Sequence, residues 1–227
     1  MIADNLAEVR KRIRSACVAA GRPVQSVTLL VVSKTFGAGA VREAFAAGER
    51  RFGENYVQEG VGKISALAEL RGHIEWHLIG PLQSNKTRIV AEQFDWVHSV
   101  DRLKIAQRLS EQRPPHLPPL QVCLQVNISG EASKSGLDAA DVASVAHDVA
   151  RLPGLALRGL MAIPEAAAGF AEQSRPHRAL RELLIALQAQ GLALDTLSIG
   201  MTGDLEAAIT EGATIVRVGT AVFGRRG

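Results

Sequence analysis

Apolar residues recur every three or four positions at the start of the chain and then gather into short runs. Ile2, Leu6, Val9, Ile13 and Cys17 share one helical face, with Arg10, Lys11, Arg12 and Arg14 at other positions. Gly21 and Pro23 stop that helix, which is expected to pack on the body of the protein. Residues 27–34 are almost wholly apolar, as a strand covered on both faces requires. From there helices and strands alternate. A helix is predicted over 40–47, closed by Gly48, then a strand over 50–53 and a helical stretch to residue 70. Strands at 74–79 and 95–99 flank a short helix at 86–91. A helix capped by Asp101 then carries Leu103, Ile105, Ala106 and Leu109 on one face. Pro114, Pro115, Pro118 and Pro119 mark a surface turn. Strands at 120–127, 155–161, 194–198 and 213–218 alternate with helices at 137–150, 176–190 and 204–210.

Eight strand–helix units with short links imply a parallel sheet. Eight such units fit a closed (β/α)8 TIM barrel with an extra N-terminal helix, a fold that takes about 250 residues. An open doubly wound sheet is the alternative. It is disfavoured because no GxGxxG or GxxxxGK[ST] follows the first strand.

Composition narrows the setting. The 227 residues read as a single domain over 1–227, since no linker interrupts the alternation. Cys17 and Cys123 stand far apart with no CxxC, so neither a disulfide framework nor a Cys-rich zinc site organises the chain. No HExxH or other metal spacing is present, and no metal is expected. No apolar run approaches the ~18 residues of a membrane span, and the N-terminus has no continuous apolar stretch of the secretory kind. A cytoplasmic protein with no membrane partner is the expectation. The net charge is +3 and aromatics are 4% of residues, with no dense basic run, so nucleic acid is not an expected partner.

In barrel enzymes chemistry gathers at the C-terminal ends of the strands. Of 26 basic residues only six are lysines, and Lys34 alone among them ends an apolar strand, in parity with Thr28, Leu30 and Val32. Lys11, Lys63, Lys104 and Lys134 read as solvent-facing or loop residues. If the Lys34 parity points inward, its amine sits at a low-dielectric mouth, where burial lowers a lysine pKa and the neutral amine can attack an aldehyde. Position alone equally fits a solvated residue that begins a loop. The ends of the seventh and eighth strands add a second feature. Ser198-Ile-Gly-Met-Thr-Gly-Asp204 turns straight into a helix, and Gly219-Thr220 follows the last strand. Glycines there let backbone N–H groups converge on an anion, and these two loops are the usual phosphate cradle of the fold. A reactive lysine facing such a cradle suggests a phosphorylated aldehyde held as an imine. Arg217, inside an apolar run, needs a partner. It has two readings, a salt bridge to a barrel carboxylate such as Glu54 or a contact to the bound ligand. His77 and His98 at strand ends read as structural hydrogen bonders.

VVSKT ending in Lys34-Thr35, FGENYVQE (52–59), WHLIGPLQSNK (76–86), HSVD (98–101), QVNIS, GLMAIP (159–164), SIGMTGD and VRVGTAVFG together resemble the pyridoxal phosphate homeostasis protein family, relatives of the alanine racemase barrel. The likeness runs in order from about residue 5 to 226. It implies a single-domain barrel that binds pyridoxal 5′-phosphate (PLP) as a Schiff base on Lys34. It implies phosphate contacts from Ser198, Met201 and Thr202 with Gly219 and Thr220, Arg217 facing the pyridine nitrogen, and Asn55 near the ring. Ile199, Thr202 and Leu78 depart from the family's usual Met, Ser and Phe; Thr202 keeps the hydroxyl that the cradle needs.

The function implied is intracellular PLP homeostasis, as a carrier or buffer with no catalytic residues and no dedicated turnover; apo PLP-dependent enzymes would be the recipients. The alternative is a PLP-dependent racemase-like or class I aldolase-like enzyme. Arginine has only donors and stays charged, so a ring nitrogen that faces Arg217 must accept and is unprotonated. That makes the ring a poor electron sink. Racemisation also needs a second acid/base, which in alanine racemase comes from a further domain. The one tyrosine here, Tyr56, is expected to pack. Asp101 and Glu54 would be the candidate acid/base groups of an aldolase. Without a second domain to supply cross-subunit contacts, a monomer is expected.

Overall fold

In the computed structural model, residues 1–129 and 135–224 are described. The amphipathic N-terminal stretch forms α1 (Ile2–Ala19), which buries Leu6, Val9, Ile13, Ala16 and Cys17. The strands are β1 (Thr28–Val32), β2 (Arg51–Glu54), β3 (Glu75–Leu78), β4 (Trp96–Val100), β5 (Leu120–Gln125), β6 (Leu155–Met161), β7 (Thr196–Ser198) and β8 (Ile215–Val218). Between them run α2 (Ala38–Ala46), α3 (Val57–Ala66), α4 (Thr87–Gln93), α5 (Leu103–Gln112), α6 (Val142–Ala150), α7 (Phe170–Ala189) and α8 (Leu205–Thr210), and α9 (Thr220–Phe223) follows β8. All eight strands pair in parallel and in sequence order, and β8 pairs with β1 to close a barrel. The (β/α)8 expectation is therefore met.

Strand alternation sorts the apolar side chains into two layers. Val31, Phe52, Trp76, Leu78, Val97, Val122, Leu124, Leu160, Val216 and Val218 belong to the large core between sheet and helices. Leu30, Val32, Ile79, Trp96, Cys123, Met161 and Ile215 form a separate cluster inside the barrel. Leu30 and Val32 fix the parity of β1, so Lys34, two residues beyond, continues the lumen-facing row.

Three helix starts differ from expectation, and the first is that of the helix expected from residue 137, which begins at Val142. Asp101 does not cap α5. Arg102 is the capping residue, and the Asp101 carboxylate accepts from the Arg102 guanidinium at 2.7 Å. The helix expected to open at Pro176 begins at Phe170 and carries that proline inside it. A proline suits a helix start, which is why the sequence pointed there. At the seventh position it lies past the first turn, so it leaves the Glu172 carbonyl without its intrahelical N–H partner.

Candidate functional site

The mouth at the C-terminal ends of the strands holds a cavity of about 720 Å³. Lys34, Asn55, Met201, Thr202, Arg217, Gly219 and Thr220 all line it, together with Val32, Phe36, Ile79, Gly80 and Gly203. Seven of the eight residues expected at a ligand site thus meet around one space. The eighth, Ser198, does not line it. Its side chain is fully buried below, and its hydroxyl lies 2.7 Å from His98 Nδ1 and 2.9 Å from Arg217 Nη1. The expected direct phosphate contact of the Ser198 hydroxyl is corrected accordingly, because that hydroxyl is committed inside the barrel. Lys34 and Arg217 are the cations of the lining, and no carboxylate joins them among the described residues. The backbone N–H groups of Thr202, Gly203, Gly219 and Thr220 donate to no acceptor among the described residues. Such a space favours an anion.

Glycine is required where the wall comes close. A Cβ on Gly219 would stand 2.9 Å from the Val32 carbonyl oxygen, and one on Gly80 would stand 2.0 Å from the Asn55 carbonyl oxygen. Gly200 has φ +90°, and a Cβ there would meet that of Ala208 at 2.5 Å. The Gly219 contact seats the loop after β8 against β1, and the Gly200 contact seats the loop after β7 against α8.

Each part of the lining is held from below. Beneath Lys34, Lys63 Nζ donates to the Ser33 carbonyl at 2.6 Å and to Glu54 and Glu59 at 2.7 Å each. Ser33 Oγ donates to Glu54, and the Thr35 N–H donates to Glu59. The residues on both sides of Lys34 are therefore gripped by one buried charge cluster. Thr35 has φ +68°, an unfavourable conformation for a β-branched residue that costs about 1–3 kcal/mol. The grip on its N–H helps offset that cost. Burial raises the Glu54 carboxyl pKa, and the bonds from Lys63 and Ser33 only partly oppose this.

Lys63, expected on a solvent face, is 5% exposed. It lies on the buried side of α3 with Val57, Gly60 and Ile64, one turn after Glu59. That spacing was the signal available in the sequence. Lys11 and Lys104 are exposed as expected, and Lys134 lies outside the described residues. Glu54 is thus the partner of Lys63 and not of Arg217, which corrects the salt-bridge reading of Arg217.

Under the cradle, the Asp204 carboxylate takes the Met201 N–H at 2.6 Å and His177 Nε2 at 2.9 Å. Burial would raise its pKa, yet these hydrogen bonds hold it below the ordinary value. The Met201 amide is therefore already used, which leaves the neighbouring Thr202 and Gly203 amides for a ligand. Arg217 is 4% exposed and donates to the Ser198 carbonyl, to Ser198 Oγ and, at 2.9 Å, to the Ala162 carbonyl. Burial lowers its pKa to about 10, so it remains a cation near neutrality. Tyr56, expected to pack, is 59% exposed.

The family described as "Alanine racemase, N-terminal domain" matches residues 3–227. A relative from Pseudomonas aeruginosa named "Pyridoxal phosphate homeostasis protein" is 64% identical over 225 residues, covering 99% of this chain and 96% of its own. The chain belongs to the pyridoxal phosphate homeostasis protein family. An Escherichia coli K12 relative of that name is 54% identical and covers 99% of this chain and 97% of its own. Among solved structures, PipY of Synechococcus elongatus PCC7942 with PLP bound superposes with a TM-score of 0.87 at 40% identity, covering 99% of this chain and 100% of that one. In this member of the pyridoxal phosphate homeostasis protein family, no group of three or more His, Cys, Asp or Glu residues could hold a metal among the described residues. No helix among them is long and apolar enough to cross a membrane.

Proposed function

We propose that the chain binds PLP at the barrel mouth through an imine with Lys34 and serves intracellular PLP homeostasis as a carrier or buffer. The observation that carries this reading is that Lys34 shares one cavity with Arg217 and with two loops whose amides are unused. The residues fit the group. A volume of about 720 Å³ lies within the 300–1,000 Å³ common for cofactor sites, and the close glycines 200 and 219 keep the cradle clear of side chains. Thr202, Gly203, Gly219 and Thr220 would hold the phosphate, Lys34 the aldehyde carbon, Arg217 the ring nitrogen, and Asn55 would lie beside the ring. When bound, PLP supplies an aldehyde that amines capture and a ring that can withdraw electrons. A relative named for PLP homeostasis and a PLP-bound neighbour of near-identical extent support the assignment.

The carrier reading, with no dedicated turnover, rests on the groups around Lys34. Arg217 can only donate, so a nitrogen facing it accepts and the ring withdraws electrons weakly. Glu54 is sealed by Lys63 and Ser33, and Asp101 by Arg102. Tyr56 does not line the cavity. Hence none of these three groups is placed as an acid/base for the Lys34 amine. Recipients would be apo PLP-dependent enzymes in the cytoplasm, and the acting species a monomer of one domain.

Adding PLP to the apo chain should produce a visible imine band that Lys34→Ala abolishes. A band retained in that variant would overturn the assignment. Racemisation or aldol turnover at about 1–10³ per second would overturn the carrier reading.

A further inference from the structure

Below Arg217 the barrel lumen holds a column of polar groups that no part of the carrier reading uses. Ser198 Oγ lies 2.7 Å from His98 Nδ1, and His98 Nε2 lies 2.9 Å from His77 Nδ1. His77 Nε2 lies 2.9 Å from Glu75 Oε1, at the first residue of β3. His77, His98, Ser198 and Arg217 are buried, whereas the Glu75 side chain is 40% exposed beside Arg51 on the N-terminal face.

We propose that Arg217, Ser198, His98, His77 and Glu75 form a one-way hydrogen-bond relay through the lumen, in which His98, His77 and Glu75 are positioning residues that aim the Arg217 guanidinium at the cavity.

Each link forces the next. A guanidinium has no acceptor, so Ser198 Oγ must accept from Arg217. From the other end, the Glu75 carboxylate can only accept, so His77 donates from Nε2, and with both rings neutral this leaves His77 Nδ1 bare for the His98 Nε2–H and His98 Nδ1 bare for the Ser198 proton. Burial drives both imidazoles towards the neutral form, and His98 further because His77 and Arg217 adjoin it. An imidazolium at His98 would donate to Ser198 Oγ from Nδ1 and leave the serine proton without that acceptor. With both imidazoles neutral and a carboxylate at the far end, the geometry admits one proton arrangement, with every donor directed from the ligand mouth to the opposite face. Such a chain rigidifies when complete and is costly when one member is missing.

The first test needs no ligand. In the free protein at neutral pH, 15N NMR should show both His77 and His98 neutral, with Nδ1 bare and Nε2 protonated. A proton on Nδ1 of either ring, or an imidazolium, overturns the relay. The second test rests on the PLP reading. His77 does not line the cavity, so His77→Leu removes the acceptor for His98 without touching the ligand. PLP should then bind roughly two- to tenfold more weakly, the worth of one hydrogen bond, and with a displaced visible band. His77→Asn, which keeps an acceptor near Nδ1, should restore both. If the two variants match the unaltered protein in band and affinity, the relay is refuted while the PLP assignment stands. If the unaltered protein binds no PLP, the assignment falls and the NMR arm still decides the relay. Should His77→Leu fail to fold, the Asn variant and the NMR result carry the test.

Discussion

Under Lys34, Glu54, Lys63 and Glu59 hold one another as ions; under Arg217, Ser198, His98 and His77 hold one another as neutral dipoles. The first assembly is local, since its members lie within 30 residues of one another, and it sits between sheet and helix. The second spans β3, β4, β7 and β8 and fills the barrel axis. A backbone turn with a strained threonine calls for force, which charges supply at close range. A side chain that must point in one direction calls for proton order, which neutral donors and acceptors supply in series. The two supports therefore differ in what breaking them costs.

The largest effect is expected from Lys63→Met. It leaves Glu54 buried without its cation, and such a loss costs about 3–5 kcal/mol. Urea unfolding measures it, and a loss below about 1 kcal/mol would show that the ionic grip is not sealed. His98→Leu should cost less, about 1–3 kcal/mol, because it orphans a neutral hydroxyl in place of an ion. Equal losses in the two variants would erase the contrast. Ile105→Val in the helix layer serves as the control. It should cost about 0.5–1.5 kcal/mol and leave PLP affinity unchanged.

The smallest effect lies in pH dependence, where the two supports have opposite signs. Burial alone would raise the Glu75 carboxyl, but the His77 hydrogen bond and Arg51 outweigh it and place it at about 2. Its stabilisation is present above the ordinary 4.5 and fades as pH falls towards 2. Glu54, pushed upward, stabilises at low pH and loses that contribution as pH rises through its folded value. Glu75→Gln should thus flatten the acid limb of a stability–pH curve, and an unchanged limb would contradict the pairing with His77.

The sequence made the barrel legible because apolar runs such as β1 and β8 were bounded by turn residues, and the regular alternation with helices located the shorter, more polar β2, β3 and β4 between them. The parity of Leu30 and Val32 carried Lys34 to the mouth, and the glycines after β7 and β8 marked the cradle. The supports were harder to read. Lys63 looked like a solvated helix residue because lysine is rarely buried, although its place beside Gly60 and Ile64 argued otherwise. His77 and His98 lie on separate strands, so their contact depends on register, which one chain's pattern does not give. Ser198 belonged to a motif of which Met201, Thr202 and Gly203 line the cavity, whereas its own side chain points into the lumen below them.

β1 and β8 are neighbours, with Thr28, Leu29, Leu30 and Val31 paired to Ile215, Val216, Arg217 and Val218. The earliest strand made therefore waits for the latest before it gains its second edge. During synthesis, at roughly 5–20 residues per second, Lys34 has no cradle opposite it until residues near 220 have left the ribosome. The nascent chain thus has no complete site in which to capture an aldehyde phosphate, and binding competence arrives in a single late step with closure of the ring.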